Sequence, residues 1–119
     1  MPDLTNLVFL AAIAFLFVHE LDAIQQHEWR FFFAWTGLSD AAAYQLFTAL
    51  HVPLFIAILA NLQTRSVQIG LDLFLIVHAV LHTLLRNHPL ITFNNGVSRL
   101  WIYGAALLGV VHLALLQAG

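Results

Sequence analysis

A chain of 119 residues has room for one domain. Its residues are 61% hydrophobic and only 8% charged, where a soluble domain is about 45–50% apolar and about 25% charged, so the composition is that of an integral membrane protein. The net charge is −2 with no lysine and four scattered arginines, which excludes a nucleic-acid surface, and the absence of cysteine excludes disulfides, thiolate metal sites, iron–sulfur clusters and thiol catalysis.

A helix needs about 20 mostly apolar residues to cross the hydrocarbon, and lipid leaves no alternative partner for its backbone. Four stretches meet that need: about 4–25, 40–62, 66–85 and 97–118. Short connections make neighbours antiparallel, so the expected fold is all-α, a four-transmembrane-helix antiparallel bundle forming a single domain over 1–119. Ser39-Asp40, Thr64/Ser66 and Asn95-Gly96-Val97-Ser98 are cap signals for the second, third and fourth spans. Met1-Pro2-Asp3-Leu4-Thr5 has no basic segment, so the first span is expected to stay as an anchor.

Between the first two spans runs Trp29-Arg30-Phe31-Phe32-Phe33-Ala34-Trp35, which reads as an interfacial aromatic belt, with Arg30 reaching the head groups, or as a substrate gate. Pro53 inside the second span frees the carbonyl of Ala49 and predicts a kink beside His51. Pro89 stops the third span. Arg30, Arg86 and Arg99 lie on the side of the first and third connections and Arg65 on the other, which places both termini outside a bacterial inner membrane.

Seven histidines against four basic residues are the unusual feature of the chain. The segment from Val18 to Trp29 ends an apolar run yet carries His19, Glu20, Asp22, His27 and Glu28. Ionisable groups at membrane depth are costly and mark function by default. At about 1.5 Å per residue, His19, Glu20, Asp22, His51, His78 and His82 fall into one slab of the bilayer. His78 and His82 are four residues apart, so both imidazoles lie on one helical face, the spacing used for joint metal ligation.

The expected metal ligands are therefore His19, His51, His78 and His82 with Glu20 and Asp22, the two carboxylates doubling as catalytic groups. Imidazole and carboxylate without sulfur suit zinc or iron best among the transition metals. Asp72 and His112 form an expected second pair on the outer side, as interhelical hydrogen-bond glue or as a proton or ligand path. His27, Glu28 and His88 are expected at the interface.

Taken with His19-Glu20-Leu21-Asp22-Ala23, His27-Glu28-Trp29-Arg30, His51-Val52-Pro53, His78-Ala79-Val80-Leu81-His82 and Arg86-Asn87-His88-Pro89, the chain resembles a family of short bacterial four-helix membrane proteins of unknown function. The resemblance implies no activity. More loosely, the pattern is similar to membrane di-iron hydroxylases and desaturases, but their HxxHH boxes are absent.

Three functions follow. The first is a metal-dependent hydrolase or oxidoreductase acting on a lipid-like substrate delivered by the membrane. The second is an electron-transfer module with haem held by His51 and His78, or with chlorin held by a histidine. The third is an accessory or transport subunit, in which Gly104 and Gly109 offer a close-packing surface to the bundle itself, a homo-oligomer or a larger membrane complex. The polar set does not by itself choose a reaction.

Overall fold

A computed structural model describes residues 3–119; Met1-Pro2, at the start of the chain, lie outside them. The described residues form five helices: α1 (Leu4–Gln25), α2 (Trp29–Phe33), α3 (Asp40–Ala60), α4 (Arg65–Leu84) and α5 (Gly96–Ala118). All but α2 are long and apolar enough to cross a membrane. Their starts are set by side-chain caps that satisfy free backbone N–H groups. Asp3 accepts from the Asn6 amide at 2.8 Å, Ser39 from Ala42 at 3.1 Å and Asn95 from Ser98 at 2.8 Å. Thr64 occupies the cap position of α4 without such a bond.

The short helix α2 replaces the plain linker expected between the first two spans. After α1 the chain turns through His27, whose φ of 57° lies in the left-handed region. The Glu28 amide bonds back to the Ala23 carbonyl at 3.0 Å and the His27 amide to Ile24 at 3.2 Å, the two reverse bonds of a Schellman turn. The turn reverses the chain direction and lays α2 across the start of α3. Trp29 is buried there, with its indole N–H donating to Asp40 at 3.0 Å. Arg30 clasps the same carboxylate at 2.9 Å, so its charge goes to Asp40. Trp35, by contrast, is exposed, as a belt residue should be.

Helices α1, α4 and α5 pack on one another, while α3 rests chiefly on α2. Small residues make the close approaches, as lipid-embedded helices require. A Cβ on Gly104 would stand 2.6 Å from the Phe15 ring, and one on Gly109 would stand 3.3 Å from the Asp72 carbonyl oxygen. Both glycines of the close-packing surface thus face neighbours within the bundle. Two apolar clusters result. One joins Phe9, Ala12, Leu16 and Leu75; the other joins Ala23, Trp29, Ala79, Phe93 and Ile102. Along α1, His19 falls between Leu16 and Ala23; along α4, His78 falls between Leu75 and Ala79.

Candidate metal centre

The boundary between the two clusters is polar. His19 comes from α1, His78 and His82 from successive turns of α4, and Glu28 from the reversed segment after α1. One ligand atom from each of these four residues lies within 4.8 Å of the other three. The Nε2 atoms of His78 and His82 are 3.1 Å apart. Two nitrogens on a tetrahedral zinc, each at about 2.0–2.1 Å, stand about 3.3 Å apart, so the pair is already at ligating separation. His19 Nε2 is 3.9 Å from a Glu28 carboxylate oxygen.

His19 has an exposure of 1%, and neither of its ring nitrogens has a hydrogen-bond partner. A buried polar atom without a partner costs about 1–3 kcal/mol, and His19 carries two. Its ring lies 4.5 Å from that of His78 and 5.4 Å from that of His82, centroid to centroid. Three imidazoles crowd together with no carbonyl or hydroxyl to share their protons. A cation at their focus would take one nitrogen from each ring. Phe93, from the α4–α5 connection, closes over the rings at 5.2 Å from His19 and 4.7 Å from His82.

Glu28, expected at the interface, is buried within the protein, with an exposure of 6%. Burial, reinforced by the negative charges of Glu20 and Asp22, pushes its carboxyl up to about 8. A dication beside it would remove that penalty by favouring the charged form.

The expected ligand set also held His51, Glu20 and Asp22, and the fold places none of them in the four-residue group. His51 Nδ1 lies 2.6 Å from the Phe47 carbonyl oxygen, and its Nε2 lies 2.5 Å from Glu20. A carbonyl only accepts, so Nδ1 carries a proton and donates it. A second proton must then lie between Nε2 and Glu20. Asp22 turns towards α5, where the Ser98 hydroxyl donates to it at 2.6 Å and Gln26 at 3.5 Å.

Asp72 and His112 are fully buried and meet at 2.6 Å between α4 and α5. They belong to neither the four-residue group nor the cavity described next. His27 is exposed against the Trp29 ring. His88 is half-buried, accepts from the Leu90 amide at 3.1 Å and lies edge-on to Phe31, which makes it part of the loop's own structure.

A cavity of about 600 Å³ opens beside the centre between α1, α3 and α4. His78 and Glu28 reach it from the four-residue group, and Glu20 and His51 reach it from the facing wall. The rest of its lining is apolar, with Phe47, Leu54 and Phe74 among it. Ligands with a free side on an apolar cavity, and a proton-sharing pair on the same cavity, are what metal-assisted acid–base chemistry needs.

Spacing and depth revealed the HxxxH pair and His19. Glu28 was missed because its approach depends on the turn at His27, and a histidine in the left-handed region carries no sequence signal of the kind glycine would.

A family model, that of a family of unknown function (DUF6713), matches residues 5–118. No curated protein and no solved structure matches the chain.

Proposed function

We propose a function for the chain as a member of DUF6713, the family of unknown function to which it belongs: a membrane-embedded metalloenzyme with one transition metal held by His19, His78, His82 and Glu28. The observation that carries this reading is His19, buried with both ring nitrogens unpartnered beside two imidazoles already at ligating separation. The second carboxylate that a bridged two-metal centre calls for is bonded to His51 in the case of Glu20, and to Ser98 in the case of Asp22. These contacts support a mononuclear centre.

Three imidazoles and a carboxylate suit zinc or iron. Bound zinc would supply Lewis acidity and, with its shell expanded to five positions or Glu28 displaced, a water acidified to a pKa of about 7. The chain's own residues then do the proton work of a hydrolase. Glu20 and His51 share one proton at 2.5 Å, and the Phe47 carbonyl fixes the His51 tautomer. On the cavity wall the pair would take a proton from a water adding to an ester or amide carbonyl carbon and give its own proton to the leaving oxygen or nitrogen as the bond to carbon broke. Iron at the same four residues would direct the site to oxidation instead. Haem on His51 and His78 would cost His51 its contact with Glu20, and nothing in the site favours it.

The substrate reaches the centre through the apolar cavity and so is a lipid-like molecule. The three-to-one arginine count puts the ends bearing the α1–α2 and α4–α5 connections in the cytoplasm of a bacterial cell. Elemental analysis of protein purified in mild detergent, with no metal-binding tag and no chelator, tests the reading. About one equivalent of zinc or iron is expected, lost in His78→Ala and His82→Ala and kept in His88→Ala. Metal-free protein, or equal metal in all three variants, overturns it.

A further inference from the structure

The cavity beside the centre does not end at its polar wall. A second cavity of about 190 Å³ adjoins it and shares Glu20, Leu54 and Phe74 with it. Apart from Glu20 the second cavity is apolar and reaches Ile58 on α3 and Leu71 on α4. Together they form a cleft along α3 from Phe47 to Ile58, a helical rise of about 16 Å. Polar groups cluster in the larger part, and the narrow part holds none beyond the shared carboxylate. The cleft is therefore amphipathic along its length.

It also opens sideways. Leu50 and Leu54 on α3, and Phe74, Val77 and Leu81 on α4, line the cleft and are at the same time exposed on the outer apolar surface. Because α3 rests chiefly on α2, it packs far less closely on α4 than α5 does. On the other face, Phe93 and the α4–α5 connection close the centre from the aqueous side. The open route to His78 is through the bilayer.

We propose that this cleft binds the acyl chain of a single-chain lipid, entering between α3 and α4, with the chain end at Ile58 and Leu71 and the ester or amide group beside His78. The placement of that polar end rests on the metalloenzyme reading above; the chain site itself does not. Moving a chain from bilayer to cleft removes no new apolar surface from water, so shape and the polar end select the ligand rather than hydrophobic gain. A narrow second cavity admits one chain, which sets lysolipids and single-chain esters or amides apart from two-chain phospholipids.

The test uses a palmitoyl lysophospholipid carrying a diazirine at the chain end, in nanodiscs of the full-length protein, with cross-linked residues mapped by mass spectrometry. Labelling is expected at Ile58 and Leu71 at several times the level at Leu107, an exposed residue of α5 outside the cleft. Leu54→Trp, which fills the junction of the two cavities, should reduce the labelling at Ile58 and Leu71 at least fivefold while leaving metal content and helical circular dichroism unchanged. Uniform labelling over the outer surface, or labelling indifferent to Leu54→Trp, overturns the proposal. The metal content of the unmutated protein, measured on the same preparation, separates the two readings. Cleft labelling in a protein that never holds metal keeps the chain site and removes the metalloenzyme; bound metal without cleft labelling does the reverse.

Discussion

Among the individual residues, His19 carries the most weight, because it is an imidazole buried with two idle nitrogens, one of which a metal would occupy. Glu28 is its counterpart, a carboxyl held up at about 8 by burial and by its acidic neighbours. Glu28→Gln keeps the shape and removes the ligand charge. Its metal affinity, measured by equilibrium dialysis, is expected to fall by at least about tenfold, with the fold intact. His27 stands one residue earlier in a left-handed conformation that costs a non-glycine residue about 1 kcal/mol. His27→Gly is therefore expected to raise the thermal midpoint in detergent and to leave metal content unchanged; a lower midpoint would show that the turn does not need glycine-like freedom. Spacing alone made His78 and His82 legible as one face. It could not show that His51 spends both nitrogens on Phe47 and Glu20, because each of those contacts depends on a rotamer and on a neighbouring helix.

Of the three spans for which a cap was read from the sequence, α3 and α5 use its side chain, through Ser39 and Asn95, and α4 does not; the Asp3 cap of α1 was not read. The elements also divide the work. α5 is the packing spine, with Gly104 beneath Phe15 and Gly109 against Asp72. Gly104→Val should push α1 from α5 and destabilise the bundle by about 1–3 kcal/mol, the usual cost of overpacking, read as a lower unfolding midpoint. Asp72 and His112 join α4 to α5 at 2.6 Å, away from the four-residue group. Asp72→Asn should cost about 1–2 kcal/mol as an interhelical bond in a membrane bundle and leave bound metal untouched. Loss of metal in Asp72→Asn would instead couple this pair to the centre. The five-residue helix α2 was not legible, since it forms only because the turn at His27 folds it onto α3.

Over the whole molecule, α1, α4 and α5 make the packed body and α3 stands off to leave the cleft. The antiparallel order puts the α1–α2 and α4–α5 connections at one end and the α3–α4 connection at the other. A chain without cysteine allows this to be checked by single-cysteine labelling. In sealed vesicles, a membrane-impermeant maleimide should react with Leu38→Cys and Asn94→Cys from the same side and with Gln63→Cys from the opposite side. Reaction of all three from one side would break the four-span topology.

Composition and hydropathy by themselves determined four apolar spans, their antiparallel order and a polar slab containing His19, His78 and His82, because helical rise and period are properties of the backbone that any apolar helix shares. Only the tertiary structure decided which polar groups meet. Helices apolar on every side, as α3 is, carry no mark of the face they turn to their neighbours. Whether Asp22 meets Ser98 or a metal, whether Glu20 meets His51, and whether Glu28 returns to His19 are settled by one left-handed residue after α1 and by where lipid-facing helices come to rest.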